Sequence, residues 1–369
     1  MTPISSKNKG NPQSMNRIMI YGATGYTGRL AATTAKSAGL DLVLAGREKE
    51  ALRALARELS VDYRVFALDD QVSVRDSLEG IAVLLNCAGP FVHTAEKLMD
   101  ACLQSGAHYL DIAAELDSYQ LADQKNEAAI EAGVMLMPGG GGSVAMLGSL
   151  ASRALERATK PAAVRIALHV SGSMSRGSAI SASQNITAQC LMLKDNVLVS
   201  RDPGEVRNFD FGDYEASCFP VTLPDLVTIA RQTGIGNIET YVHVSGNAFP
   251  EGDPAALPAG PTAEERQANR YQASVEIVGV DGAVKRAVLD TVNGYTFTPL
   301  AAVEASRRIL AGEFAAGFQT PVGLFGNSFA ESIADTTITH LTSPGHPARP
   351  APSAAQAAVM CPGASPGPL

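Results

Sequence analysis

The sequence predicts an α/β chain in two parts: a doubly wound parallel sheet first, then an α+β domain with a mixed or antiparallel sheet. Three observations predict it. Short apolar runs alternate with helical patterns through the first half; a glycine-rich turn stands between the first such run and the first helical pattern; and beyond about residue 160 strands follow one another with hairpin signals. The 369 residues are enough for two or three domains, each with its own core.

Residues 17–21, 40–46, 63–68, 81–87, 108–112 and 134–137 read as buried strands, and 28–37, 48–59, 95–104 and 119–132 as helices between them. The helix at 48–59 is the clearest, with Leu52, Leu55 and Leu59 on one face and charges on the other. Strand and helix in alternation require right-handed crossovers, hence a parallel sheet covered on both faces. In the second half, 165–170, 239–244, 273–280 and 284–292 read as strands, with Asp281-Gly282 as the hairpin turn joining the last two. A helix is expected from Thr298, with Pro299 in its first turn, to Gly312. The Pro/Gly-rich segment 247–267 reads as a mobile loop. The boundaries are a polar, disordered arm at 1–16, a first domain at 17–150, and a substrate and dimerisation domain at 151–343 whose final helices can pack back on the first. A disordered Pro/Ala/Gly tail at 344–369 follows.

With 29 Lys plus Arg against 37 Asp plus Glu, the net charge is −8, and there is no basic block and no Trp. A nucleic-acid partner is therefore excluded on charge and on stacking. The five cysteines have neither zinc nor disulfide spacing, so no metal site is expected and thiols in a reducing, cytoplasmic setting are. The polar N-terminus shows no apolar signal segment. Residues 132–152 carry no charge, but Pro138 and the run Gly139-Gly140-Gly141-Gly142 would break a spanning helix, so no membrane is expected.

The stretch Tyr21-Gly22-Ala23-Thr24-Gly25-Tyr26-Thr27-Gly28 has G-x-x-G-x-x-G spacing between a strand and a helix, the Rossmann signature. Gly22 supplies the tight turn, Gly25 lets backbone approach a pyrophosphate, and Gly28 lets helix and strand pack closely, with helix amides donating to the diphosphate. At the end of the second strand, where an acid would accept the 2′-hydroxyl of NAD, the chain has Ala45-Gly46-Arg47. Arg47 suits the 2′-phosphate of NADP(H), or else it salt-bridges an acid on the next helix. Asp69 or Asp70 after the third strand reaches the adenine edge or sits on a solvated turn. After the fourth strand, Cys87-Ala88-Gly89-Pro90-Phe91 should face the nicotinamide and substrate, with Cys87 a packing residue rather than a nucleophile. None of the nine tyrosines has a Lys four residues later, so the short-chain dehydrogenase mechanism is excluded, and neither G-x-S-x-G nor H-E-x-x-H occurs.

With these residues in hand, the chain resembles the saccharopine dehydrogenase-like oxidoreductases, above all the branch with trans-acting enoyl reductases. The resemblance covers roughly 17–335 and is carried by 21–28 with Ala45-Gly46-Arg47, by 86–91, by Ala101-Cys102 through Gly106-Ala107-His108-Tyr109-Leu110-Asp111 to Glu115, and by 173–178; 232–241 and 320–326 are also similar. It implies an NADP-linked reductase with an N-terminal Rossmann domain, a C-terminal α+β domain, substrate in the crevice between them, and a homodimer through the second sheet. Members act on imines, on secondary amines formed from amino acids, or on C=C bonds. Two departures stand out: Ala113-Ala114-Glu115 where relatives often carry a Gly, and the run 139–142 where they commonly carry an Asp and a second Pro.

The catalytic candidates are His93, Asp111 and Glu115. His93 is a proton donor beside the nicotinamide turn, or a surface or capping residue. Asp111 and Glu115, at the end of the fifth strand, orient a ring, bind an amine, or hold the loop. Arg176 clamps a substrate carboxylate or lies on the surface, Tyr26 touches the ribose or nicotinamide or caps its helix, and His108 is a packed residue. The expected activity is NADP(H)-dependent hydride transfer to a C=N, C=O or C=C bond of a small metabolite. The competing readings are a non-catalytic NADP-binding redox sensor or scaffold, and an NADP-using isomerase or synthase with no net hydride consumption.

Overall fold

The computed structural model describes residues 16–185, 189–246 and 253–341; the expected arm up to residue 15 and the tail from 342 lie outside them. The first domain runs β1 (Arg17–Tyr21), α1 (Tyr26–Ser37), β2 (Asp41–Gly46), α2 (Lys49–Leu59), β3 (Asp62–Val65), α3 (Gln71–Asp76), β4 (Val83–Asn86), α4 (Ala95–Ser105), β5 (His108–Asp111), α5 (Leu116–Gln124), α6 (Asn126–Ala132), β6 (Met135–Met137) and α7 (Ser143–Leu155). The second runs β7 (Pro161–Ser171), α8 (Arg176–Asn185), β8 (Leu191–Lys194), β9 (Val197–Ser200), β10 (Arg207–Asp210), β11 (Glu215–Pro220), α9 (Asp225–Thr233), β12 (Ile238–Ser245), α10 (Ala263–Ala268), β13 (Tyr271–Gly279) and β14 (Val284–Thr291). The chain then closes with α11 (Gly294–Leu310), β15 (Gly317–Phe318), α12 (Pro321–Phe325) and β16 (Thr337–Leu341).

The first sheet has seven strands in the order β15-β6-β5-β4-β1-β2-β3, all parallel where they pair. It is the expected doubly wound α/β layer, with one difference: its last strand, β15, comes from far along the chain, after the second domain. The second sheet is mixed. Its main path is β10-β11-β12-β7-β13-β14-β16, with β7 and β12 parallel and β13–β14 the expected hairpin. Gly282 takes a positive φ in that turn.

The sheets share one apolar core. Helix α7 lies against β13 and β14 of the second sheet, and α11 lies beside α1 and over β4 and β5 of the first. One buried cluster therefore runs from Ile18, Ile20 and Leu44 through Leu147 and Leu150 to Ile166, Val275 and Leu289. The opposite face of the first sheet is a separate cluster under α4 to α6.

Several elements differ from expectation for local reasons. Asn293 caps α11 by accepting from the Tyr295 amide, so that helix begins at Gly294 and Pro299 falls inside it rather than in its first turn. The expected helix at 119–132 is two helices, α5 and α6, meeting at Lys125. Residues 253–268 are a short 3-10 turn and α10, held by a reciprocal cap between Thr262 and Glu265, rather than structureless loop. Residues 247–252 of that segment lie outside those described.

The glycine run at 139–142 is squeezed between layers. A Cβ on Gly141 would run into the Thr298 carbonyl and lie 2.7 Å from the Ala302 amide and methyl. We expect Gly141→Ala to cost about 1–3 kcal/mol of stability by forcing α11 off the loop. Gly177→Ala meets nothing within 4 Å on helical backbone and should gain about 0.5–1 kcal/mol. Urea unfolding of both variants checks the pair; equal midpoints would show that the loop is loosely packed.

Candidate active site

The nucleotide turn is built by sterics. Gly22 has φ +79° and donates its amide to the Ala45 carbonyl at 2.9 Å, tying the turn to the end of β2. A Cβ on Gly28 would strike the Gly22 carbonyl, so only glycine lets α1 approach β1 this closely. Helix α1 starts after Gly25 with no side-chain cap and no acid in its first turn, which leaves the amides at its positive end available to an anion. The residues fit a nucleotide diphosphate: a glycine cradle that a Cβ would fill, and an uncapped helix end.

Arg47 is exposed at the end of β2 and makes no hydrogen bond or ion pair among the described residues. Its charge acts instead on Tyr21, whose ring lies 5.0 Å from Phe66. Asp69 is exposed, 4.0 Å from Lys97, and Asp70 caps α3 through the Val72 amide.

The turn after β4 is fastened from below. Asn86 accepts from the Ala88 amide (2.9 Å) and donates to Thr94 (3.1 Å) and Tyr109 (3.2 Å), while Thr94 donates to the Ala88 carbonyl (2.8 Å). Cys87 packs against the core, and burial pushes its thiol up, away from the reactive thiolate. Gly89 and Pro90 follow; Gly89 faces Ser181 of α8, which closes the crevice from the second domain. Phe91 is 6 % exposed and packs into the core under α4, so it supports the turn rather than lining the crevice. His93 ends the short 3-10 turn and is exposed, with no side-chain hydrogen bond among the described residues.

Asp111 is fully buried and both its oxygens are engaged: Tyr109 donates to one (2.8 Å), and the Ala113 (2.9 Å) and Gly139 (2.7 Å) amides donate to the other. Burial pushes its carboxyl up to about 7 despite those donors. This geometry makes Asp111 a tie between loops. Glu115 is the N-cap residue of α5; one oxygen accepts from the Ala114 amide (3.0 Å) and the other has no partner among the described residues.

A group of polar residues near Glu115 was not legible from sequence. Helix α9 packs on α5. Ser118 on α5 and Asp225 and Thr228 on α9 are buried with hydroxyl or carboxylate oxygens that find no partner among the described residues. Tyr119 lies close enough to feel the charges of Asp111, Asp225 and Glu115. Burial pushes the Asp225 carboxyl up to about 7. The only sequence signal was Pro224-Asp225 before an apolar run, which marks a helix start and says nothing of chemistry.

Other candidates are spent elsewhere. Arg176 donates through Nε to the Leu257 carbonyl (2.7 Å), so it anchors the segment before α10 instead of standing free as a carboxylate clamp. Tyr26 donates to the Pro261 carbonyl (2.5 Å) and stands edge-on to Tyr295, 5.6 Å between centroids. The Tyr295 hydroxyl accepts from the Ser175 amide (2.8 Å) and donates to Ser178 (2.9 Å). His108 accepts from the Met135 amide and packs on Phe314, as a core residue does.

Residues 18–137 match the family model described as the saccharopine dehydrogenase NADP binding domain. Over those residues the first domain is similar to that family. Among its relatives, the human saccharopine dehydrogenase-like oxidoreductase is 26% identical over 144 residues, covering 34% of this chain and 34% of that protein. The trans-acting enoyl reductase of Mycobacterium leprae is 34% identical over 106 residues, covering 27% of this chain and 25% of that protein. The chain therefore spans a quarter to a third of the length of these curated relatives. The solved structure of saccharopine dehydrogenase (L-Glu forming) from Saccharomyces cerevisiae shares the fold, with a TM-score of 0.61 at 10% identity over 89% of this chain and 100% of that one. Among the described residues no helix is long and apolar enough to cross a membrane, and no three His, Cys, Asp or Glu side chains gather as metal ligands.

The buried acids set a pH dependence. Unfolded, Asp111 and Asp225 ionise near 4; folded, they hold their protons to about 7. The folded chain thus binds extra protons between those values, and stability falls as pH rises through that window. Asp225→Asn keeps the neutral shape, so it should raise stability at pH 8 by about 1–3 kcal/mol and much less near pH 4.5. Thermal unfolding at the two pH values checks it, and an equal gain at both would show that Asp225 is not held neutral.

Proposed function

We propose that this chain is an NADP(H)-dependent oxidoreductase that moves a hydride to or from a C=N, C=O or C=C bond of a small metabolite. The observation that carries the cofactor choice is Arg47, exposed and without a partner at the end of β2, where a 2′-phosphate would lie. Its planar fork pairs with a phosphate in two-pronged fashion. When bound, the nicotinamide supplies or accepts the hydride.

The chain's own residues do the placing. The Gly22–Gly28 turn and the first amides of α1 hold the diphosphate, while the turn at Gly89, fastened through Asn86, holds the nicotinamide end. Ser181 of α8 bounds the crevice on the far side.

Glu115, Ser118, Asp225 and Thr228 form a buried polar cluster whose carboxylate and hydroxyl oxygens lack partners among the described residues. The hydroxyls and a protonated Asp225 donate as well as accept, so the cluster suits a carbonyl oxygen as readily as an amine or imine nitrogen.

A fluorescence titration with NADPH and NADH, on the wild type and Arg47→Ala, tests the reading. NADPH should bind more tightly than NADH, and the variant should lose that preference, at a cost of about 1.5–3 kcal/mol for one charge-assisted pair. Binding of neither nucleotide by the wild type overturns the reading.

A further inference from the structure

Residues 257–266, between β12 and β13, cross the mouth of the nucleotide turn. Pro261 is buried, and Gly260 lies so close on Tyr26 that a Cβ there would be 2.6–2.7 Å from the ring. Tyr26 is the first residue of α1, so this strap sits at the positive end of that helix. Arg176 holds its other side through the Leu257 carbonyl, and the Arg176 amide donates to the Ala259 carbonyl.

Arg266, on α10, is the charged member of the strap. Its Nη1 donates to the Tyr26 hydroxyl (2.6 Å) and to the Pro261 carbonyl (3.0 Å), and its Nε and Nη2 have no hydrogen-bond partner among the described residues. Arg266 makes no ion pair among the described residues, although exposed Glu264 lies near enough to feel its charge. The nearest acid in sequence, Glu265, uses its carboxylate to accept from the Thr262 amide (2.6 Å) in the cap of α10.

A half-exposed guanidinium thus stands beside the uncapped, acid-free N-terminus of a helix in the other domain. Two positive poles facing each other are unfavourable unless an anion lies between them. The diphosphate of the proposed cofactor is the anion that belongs at this helix end.

We propose that Arg266 is a phosphate-binding residue supplied in trans by the second domain, its unused Nε and Nη2 donors taking a diphosphate oxygen so that the strap closes on the bound cofactor. This rests on the nucleotide reading above and adds to it a residue from outside the nucleotide-binding domain. The bond it forms is a charge-assisted, two-pronged pair, for which arginine is better shaped than lysine. The strap is then a consequence of binding as well as a cover, because the same guanidinium holds both Tyr26 and the ligand.

The test uses the full chain and four proteins: wild type, Arg266→Ala, Arg266→Lys and Tyr26→Phe. Each is titrated with NADPH and with adenosine 2′-phosphate, which carries the phosphate that Arg47 would read and no diphosphate. Arg266→Ala should raise the Kd for NADPH about 10- to 100-fold and leave that for adenosine 2′-phosphate within twofold. Arg266→Lys should recover part of the loss. Tyr26→Phe, which removes the strap's hydrogen bond and keeps the charge, should cost less than threefold. Hydrogen exchange on the wild type should show NADPH protecting amides of residues 257–266.

Unchanged NADPH affinity in Arg266→Ala overturns the proposal, and so does a Tyr26→Phe loss as large as that of Arg266→Ala, which would make the arginine a brace. Equal loss of both ligands in Arg266→Ala also overturns it, because the effect would then be on folding. A wild type that binds adenosine 2′-phosphate and NADPH equally well overturns this proposal alone. A wild type that binds neither overturns the nucleotide reading and this proposal with it.

Discussion

The buried carboxyl of Asp111 joins three strand ends. Through Tyr109 it reaches Asn86 and thence the turn after β4; through the Ala113 amide it shapes the chain leaving β5; through the Gly139 amide it holds the loop after β6. These are the carboxyl ends that form the crevice of a doubly wound sheet, and one side chain sets their mutual height. Because its oxygens replace water with three donors, the group tolerates complete burial, yet the cost still shows as a carboxyl pushed up to about 7. The crevice floor is therefore rigid through a polar tie inside an apolar setting.

The walls depend on a different constraint. After leaving the second sheet the chain returns as α11, inserts β15 at the edge of the first sheet beside β6, and turns through α12 before β16 joins the second sheet. Each domain thus contains pieces that the other's chain segment must deliver, and one apolar cluster runs through both. Separating the domains would expose that cluster, so the crevice has a fixed width at its base. The strap over Tyr26 is different in kind: it is held by a few hydrogen bonds between exposed or half-exposed groups. Local opening free energies are lowest in such segments. Motion at the mouth over a fixed floor is what the contacts allow.

The parts legible in the sequence were those governed by local pattern. Apolar runs located six of the seven strands of the first sheet, glycine spacing located the nucleotide turn, and Asp281-Gly282 located the β13–β14 hairpin. The rest was set by distant partners. Strand β15 is two residues long and exists because β6 offers an edge. The hairpin of β8 and β9 turns on Asp195 and Asn196, both with positive φ, a turn signal hidden by its lack of glycine. The candidate site divided the same way. Gly22, Gly28 and Arg47 announce themselves by position relative to a strand, whereas Asp225, Thr228 and Arg266 matter only because folding carries them to residues more than a hundred positions away. Arg176 looked like a clamp because its hydroxyl-rich surroundings resemble a ligand site, but the Leu257 carbonyl 81 residues on takes its Nε–H.

Many charged groups of this chain are paired. Glu276 lies between Arg207 and Arg286, Glu239 pairs with Arg165 and Arg201, and Glu304 pairs with Arg307 and Arg308, which hold its carboxyl down at about 2. Arg47 and Arg266, which have no carboxylate partner among the described residues, lie at the β1–β2 end of the first sheet, and unmatched oxygens on Glu115 and Asp225 lie at the β5–α5 end. Sequences keep such local conflicts where a ligand resolves them. The arrangement is also directional. Positive charge lies at one end, buried carboxyls lie at the other, and the turn at Gly89 lies between them, so a ligand that carries its negative charge at one end is favoured in one orientation.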